Sequence, residues 1–274
     1  MNNKNELVEL LMNLVETSLR CCAKWHYRLT VRGVENIPAQ GGVLLLPNHV
    51  SYVDAVILSL ASPRRIRFVS DEAFFNKPVL GWILRYFGGI PISPRRAKEG
   101  IQATAAALSA GEVVCLFPEG RLTLNGELNE LRAGFQLIAK HADCQSVVAR
   151  MDGLWGSVFS YYGGRLFTKL PHRLVRRVTV SFSVPLTANQ TSIDRVTKEM
   201  HLLQDLAPKT RFVKKSCVNL LFAACSALAI SVFYTLTMKD PAQTGLLFAI
   251  GGLLTLAVVM ALNRIRRCAL RHLS

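Results

Sequence analysis

The sequence lacks the motifs that mark several large enzyme classes. It contains no GxSxG nucleophile turn, no GxxxxGK[ST] phosphate loop, no GxGxxG fingerprint and no HExxH metal motif. These absences argue against a serine hydrolase, a nucleotide-dependent enzyme and a metalloenzyme. The seven cysteines include no CxxC pair, so a disulfide framework or zinc site is not expected. Reduced thiols on a protein that faces the cytosol fit this cysteine pattern best.

Negative charge is also scarce. Lys and Arg number 33 against 18 Asp and Glu, which gives a formal net charge of +15. Such a balance suits nucleic acid, an anionic lipid surface or a phosphorylated substrate, although basic residues can also be a merely solvated surface. No zinc-finger spacing or aromatic RNA-binding motif is present, so we expect no nucleic-acid partner.

Long hydrophobic runs are confined to the last quarter of the chain. Residues 216–238 and 243–262 contain no charged residue, and each run could cross roughly 30 Å of hydrocarbon as a helix. Basic residues flank both outer ends, which predicts a transmembrane helical hairpin over residues 214–264 with a basic cytosolic tail, 265–274. The alternative is a helical hairpin buried in a soluble core.

At the other end of the chain, residues 1–28 have no secretory signal. Leucines recur there at helical spacing, which predicts an amphipathic helix that lies on the bilayer or packs on the domain that follows.

Between these ends, residues 29–210 alternate short apolar runs with helical patterns, which predicts an α/β domain with a largely buried sheet. The expected strands are 42–46, 67–70, 90–93, 113–117, 146–149 and 178–183. The expected helices are 54–60, 79–87, 97–109 and 132–141.

A histidine and an aspartate interrupt two apolar runs in LLLPNHVSYVDAVIL. Asp54 has a structural explanation, because Ser51 and Asp54 match a capping box with Ser51 as the N-cap. His49 has no such explanation, and it follows a strand at the sheet edge where α/β folds place ligands. An aspartate in the first helical turn could orient the imidazole as a general base.

Two further polar blocks follow predicted strands. Phe117-Pro-Glu-Gly-Arg121 carries a glutamate and an arginine at a turn, and Gly88–Arg96 (GGIPISPRR) ends in two arginines that suit phosphate binding. Each block alone could be an ordinary surface loop. Together with His49, all three fall just past the carboxyl end of a strand.

With these motifs in this order, the chain resembles the glycerolipid acyltransferase family. The family's HxxxxD motif matches His49 to Asp54, its arginine-bearing block resembles GGIPISPRR, and its FPEG block matches Phe117 to Gly120. The FPEGRLTLNG and MDGLWGSVFS segments look like the acyltransferase half of the bacterial bifunctional 2-acylglycerophosphoethanolamine acyltransferase/acyl-carrier-protein synthetase. Two departures stand out: FPEG continues with Arg-Leu-Thr, and SVVARMDG lacks the family's usual proline after the valine pair.

The resemblance implies a glycerol-3-phosphate acyltransferase-like fold, with a mixed sheet flanked by helices. It implies that His49, oriented by Asp54, deprotonates the glycerol hydroxyl of a lysophospholipid, which then attacks an acyl-CoA or acyl carrier protein thioester. No bound metal or cofactor is required. The residues expected to hold the acceptor are Asn48, Ser51, Arg95, Arg96, Glu119, Gly120 and Arg121, with Arg95 preferred over Arg96 as the family's arginine.

The resemblance also implies an integral membrane protein whose catalytic domain faces the cytosol, in a bacterial inner membrane. Lysophosphatidate and lysophosphatidylethanolamine stay open as acceptors. Two other readings stay open as well: a non-catalytic lipid-binding scaffold for a separate ligase, and a hydrolase that activates water.

Overall fold

The structure is a computed structural model, and it describes residues 27–164 and 176–205. The predicted hairpin, 214–264, and the basic tail lie outside the described residues. So does the predicted N-terminal helix, except for Tyr27 and Arg28, which begin the first strand instead. No helix in the described ranges is long and apolar enough to span a bilayer.

The described residues form a seven-stranded mixed sheet in the order β1-β7-β6-β2-β5-β3-β4. Neighbouring strands pair in parallel, apart from the antiparallel pair of β6 and β7. The strands are β1 (Tyr27–Arg32), β2 (Val43–Pro47), β3 (Ile66–Asp71), β4 (Ile90–Ile92), β5 (Val113–Cys115), β6 (Gln145–Asp152) and β7 (Arg176–Phe182).

Helices connect most of these strands. They are α1 (Asp54–Ala61), α2 (Glu72–Phe75), α3 (Pro78–Tyr86), α4 (Ala97–Ser109), α5 (Gly134–Ala142) and α6 (Ile193–Asp205). Short 3₁₀ turns occur at Val34–Asn36, Pro94–Arg96 and Ala188–Gln190.

Two apolar layers cover the central strand β2. Because side chains alternate along a strand, Val43 and Leu45 face one layer, which includes Ile57 and Leu58 of α1. Leu44 and Leu46 face the other layer, which α4, α5 and α6 supply. All five residues of β2 are buried, as expected for a strand covered on both faces.

The predicted α/β architecture with a mixed sheet is confirmed, and each predicted strand and helix overlaps an observed one. Three elements were missed. Strand β1 is an edge strand whose Leu29 and Val31 are only partly buried. The helix α2 is a single turn. The helix α6 buries Val196, Met200 and Leu203 at helical spacing, a signal that the sequence does contain.

The parallel part of the sheet determines where the candidate site lies. Strands β2, β5, β3 and β4 are mutually parallel, so their carboxyl ends share one edge of the sheet. The three polar blocks follow β2, β5 and β4, and the fold therefore brings them to that edge.

A substitution at Gly42, the residue before β2, tests how closely the sheet and α4 pack. A Cβ at Gly42 would lie 2.1 Å from the backbone oxygen of Leu108. We expect Gly42→Ala to reduce stability by about 1–3 kcal/mol, since overpacking forces backbone shifts. The melting temperature measures this loss. The control is Gly134→Ala, where an added Cβ meets nothing within 4 Å, and equal melting temperatures for the two variants would contradict the prediction.

Candidate active site

Asn48 fixes the chain as it leaves β2. Its side-chain amide donates to the carbonyl of Met151 at 3.1 Å, and its side-chain oxygen accepts the Met151 N–H at 2.7 Å. The amide thus extends the pairing of β2 with β6 past the strand end. Asn48 is buried, so its role in the structure is to set the path of the backbone into His49.

Asp54, the first residue of α1, is fully buried. Its Oδ2 atom accepts the backbone N–H groups of Val50 at 2.7 Å and Ser51 at 2.9 Å, and it lies 2.8 Å from Nδ1 of His49. Its Oδ1 atom accepts the Ser51 hydroxyl at 2.8 Å. Four polar partners compensate for burying this carboxylate, which would otherwise be costly.

The N-terminus of α1 differs in detail from the predicted capping box. The N-cap is Val53, not Ser51, and it has no side-chain cap. Ser51 instead lies in the loop, where its hydroxyl bonds to Asp54 and accepts the Val53 N–H at 3.3 Å. The reach of Asp54 back to the Ser51 N–H is the part of the capping-box prediction that holds.

The His49 ring is fixed from two sides. Nδ1 bonds to Asp54, and the ring stacks on Phe117 with 4.0 Å between centroids. Because the carboxylate accepts, the geometry assigns the proton to Nδ1 and leaves Nε2 with a lone pair. The side chain retains 23% exposure, so the ring is held and still accessible.

The Glu119 carboxylate holds the backbone of His49 in place. Its Oε1 atom accepts the backbone N–H of His49 at 2.7 Å, and Oε2 accepts the backbone and side-chain N–H groups of Asn129 at 2.8 and 2.7 Å. Burial raises the pKa of this carboxyl, although these hydrogen bonds act in the opposite direction. The geometry makes Glu119 a positioning residue, and its expected contact with the acceptor stays a prediction.

The turn after Glu119 brings basic side chains to the surface. Gly120 has a φ of 65°, and a Cβ there would lie 2.9 Å from Nε of Arg132. Arg132, whose backbone N–H bonds to Pro118, was not singled out from the sequence, because only its charge marks it. Arg121 is exposed and forms no ion pair with any residue that the structure describes.

The two arginines of the GGIPISPRR block have different surroundings. Arg96 forms ion pairs with Glu72 and Glu99, so its charge is compensated. Arg95 is exposed and has no ion-pair partner within the described ranges. This difference supports the preference for Arg95 as the phosphate-binding arginine, which stays a prediction.

The MDGLWGSVFS segment also borders the site, although the sequence assigned no role to its residues. Tyr52 lies three residues past His49, and its backbone N–H donates to the carbonyl of Phe159 at 3.1 Å. The ring of Trp155 packs over Gly126, where a Cβ would lie 2.6 Å from it. The bare sequence carries no spacing that predicts these contacts.

A histidine held by a buried aspartate at the carboxyl edge of an α/β sheet is an arrangement that can accept a proton from a hydroxyl group. The family model described as Acyltransferase matches residues 28–151 of this chain. The match includes His49, Asp54 and the FPEG turn.

Curated relatives carry related names. The chloroplastic 1-acyl-sn-glycerol-3-phosphate acyltransferase LPAT1 of Arabidopsis thaliana is 29% identical over 119 residues, 42% of this chain and 33% of that protein. The 1-acyl-sn-glycerol-3-phosphate acyltransferase of Bacillus subtilis is 26% identical over 121 residues, 43% of this chain and 60% of that protein. The chain thus spans about a third of the Arabidopsis relative.

A solved structure shares the fold. The crystal structure of the 1-acyl-sn-glycerophosphate (LPA) acyltransferase PlsC from Thermotoga maritima has a TM-score of 0.54 and 16% identity, covering 77% of this chain and 85% of that one. At this identity the likeness supports the architecture alone. The finer resemblance to the bifunctional acyltransferase stays a prediction.

Glu119→Gln tests whether the Glu119 carboxylate stabilises the loop that carries His49. An amide offers one acceptor oxygen, so its NH₂ group would face donors that now bind a carboxylate oxygen. We expect a loss of about 1–3 kcal/mol in stability, measured as a lower melting temperature. The control is Glu130→Gln, since Glu130 is exposed. Equal effects of the two substitutions would show that Glu119 does not support the loop.

Proposed function

We propose that this protein transfers a fatty acyl group from an acyl thioester to the free glycerol hydroxyl of a lysophospholipid. One observation carries the proposal: the 2.8 Å contact between Nδ1 of His49 and a fully buried Asp54 carboxylate. This contact leaves Nε2 as the ring nitrogen that can accept a proton, inside the segment that the Acyltransferase family model matches.

The proposed reaction uses His49 twice. Nε2 removes the proton from the glycerol hydroxyl as its oxygen attacks the thioester carbonyl. The C–O bond forms and the C–S bond breaks, and the imidazolium returns the proton to the leaving thiolate. Asp54 stabilises the charged ring between these transfers and holds its orientation. The products are a diacyl lipid and a free thiol, from acyl-CoA or acyl carrier protein.

The acceptor's phosphate is proposed to bind the uncompensated arginines at the same edge. Arg95 and Arg121 are exposed and form no ion pair among the described residues, and Arg132 lies over Gly120, the residue before Arg121. Guanidinium groups suit phosphate oxygens because they donate in a planar fork. Relatives named for 1-acyl-sn-glycerol-3-phosphate favour lysophosphatidate, whereas the FPEGR and MDGLWG segments favour lysophosphatidylethanolamine.

We expect His49→Ala to reduce acyl transfer by roughly 10²–10⁴-fold, because the general base is removed. Asp54→Asn should cause a loss of similar order, since an amide cannot accept all four partners and favours the wrong tautomer. The assay offers labelled acyl-CoA or acyl carrier protein with each lysophospholipid to membranes that contain the protein. The control is His141→Ala, an exposed histidine on α5.

Two outcomes of this assay would replace the proposal. Equal transfer by wild type and His49→Ala would favour the non-catalytic scaffold for a separate ligase. Release of free fatty acid without diacyl lipid, lost in His49→Ala, would favour the hydrolase.

Substitution of Arg95 or Arg121 by alanine should distinguish between the acceptors. Lysophosphatidate carries more negative charge than the zwitterionic lysophosphatidylethanolamine, so its KM should rise more when an arginine is lost. We expect roughly tenfold or more for the phosphomonoester, in line with the strength of a charge-assisted hydrogen bond. Lys98→Ala, three residues from Arg95 and exposed, serves as the control. An equal rise for both acceptors would show that these arginines do not recognise the phosphomonoester.

A further inference from the structure

The described apolar side chains of the helix α3 lie outside both core layers. Among the α3 residues whose side chains are described, only Gly81 is buried. Leu80 is 39% exposed, and Trp82, Ile83, Leu84 and Tyr86 are partly exposed. By contrast, α1 has a similar length and buries Ile57 and Leu58. An apolar helix that does not fill the core marks an interaction surface.

This exposure is built into the packing of α2 and α3. A Cβ at Gly81 would lie 2.1 Å from the backbone oxygen of Phe75, so the glycine lets α3 pack directly on α2. The guanidinium of Arg85 donates to the same oxygen at 2.8 Å. Phe75 is buried, while its neighbour Phe74 is 38% exposed. The pair of helices is therefore held to the domain by one side, and its other side carries apolar groups outward.

Basic residues outnumber acidic ones around these helices. Residues 73–98 contain five basic residues and no acidic residue, whereas Asp71 and Glu72 stand at the start of α2 and Glu72 pairs with Arg96. Lys77 at the start of α3 is exposed and forms no ion pair with the described residues. The rings of Trp82 and Tyr86 stack at 6.0 Å between centroids, and each carries a polar group on an apolar ring. Apolar side chains, amphipathic aromatics and basic flanks together match an anionic lipid surface.

The position of the helices favours the same occupant. Asp71 ends β3 and caps α2 by accepting the Ala73 N–H at 2.8 Å, so α2 begins at the sheet edge that also holds His49. Glu72 bonds to Ser93 and Arg96, which joins α2 to the arginine block. A bilayer against α3 would thus lie beside the site rather than on the far side of the domain.

We propose that the exposed side of α2 and α3, formed by Phe74, Leu80, Trp82 and Tyr86 and flanked by Lys77, docks on an anionic phospholipid bilayer. This contact is separate from the predicted hairpin at 214–264 and would bring the catalytic edge against the lipid that contains its substrates.

The test uses the fluorescence of Trp82 in the full chain, reconstituted into vesicles of phosphatidylcholine and phosphatidylglycerol. The sequence has three tryptophans, so Trp25→Phe and Trp155→Phe leave Trp82 alone. We expect lipids brominated in their acyl chains to quench Trp82, and acrylamide in the water to quench it weakly. The control carries Leu137→Trp with all three native tryptophans changed to Phe, because Leu137 is also an exposed apolar residue, 50% accessible, on α5. Its quenching by brominated lipid should be several-fold weaker.

Two substitutions test the two parts of the proposal, which are the apolar contact with the bilayer and the preference for anionic lipid. Leu80→Asp should reduce lipid quenching of Trp82 several-fold, whereas Leu137→Asp should not. Lys77→Glu should reduce it most in vesicles that contain phosphatidylglycerol, and added salt should have the same effect on the wild-type surface.

The remaining outcomes overturn the proposal. If acrylamide quenches Trp82 freely and brominated lipid does not, the surface faces water. If neither reagent quenches it, a protein segment or a second copy covers the surface. If Lys77→Glu and removal of phosphatidylglycerol change nothing, the surface does not recognise anionic lipid. None of these readings depends on acyl transfer, so they are independent of the His49 experiment.

Discussion

The site depends on one buried carboxylate. Asp54 has no exposed surface, yet two backbone N–H groups, a hydroxyl and an imidazole satisfy its oxygens. The same contacts that make its burial tolerable also wrap the chain from His49 to Ser51 around it. The loop cannot move without stranding a buried charge, so the His49 ring is held before any substrate arrives. Preorganisation of this kind is what lets a histidine act as a base without reorganising first.

The parallel part of the sheet explains why distant blocks of sequence meet. Strands β2 and β5 pair side by side and end at one edge of the sheet. This brings the Glu119 carboxylate within hydrogen-bond distance of the His49 backbone N–H, although the two residues are 70 positions apart. Phe117 stacks on the same ring from the same turn. A one-residue change of register would move these side chains to the opposite face of the sheet.

The sequence predicted those parts of the site that are local or that follow a strand. The spacing of His49 and Asp54 is short enough for a helix start to join them, and the order of apolar runs fixed the α/β class. Contacts set by tertiary packing were out of reach. Nothing in the sequence tells that Glu72 compensates Arg96, whereas Arg95 forms no ion pair with the residues that the structure describes. Likewise, the FPEG glutamate reads as a surface group until Asn129 and His49 are seen to occupy both its oxygens.

An acceptor that is part phosphate and part hydrocarbon places two demands on one edge of the sheet. Its phosphate requires positive charge that the protein has not already neutralised, and Arg95 and Arg121, which form no ion pair within the described part of the chain, offer it. Its acyl chains require apolar surface or a bilayer within reach, and exposing Leu80 of α3 to water is unfavourable unless something covers it. A domain that acted on a small soluble acceptor would gain nothing from that second feature. The coexistence of both at the carboxyl edge therefore favours a lipid acceptor drawn from the membrane over a soluble phosphate ester.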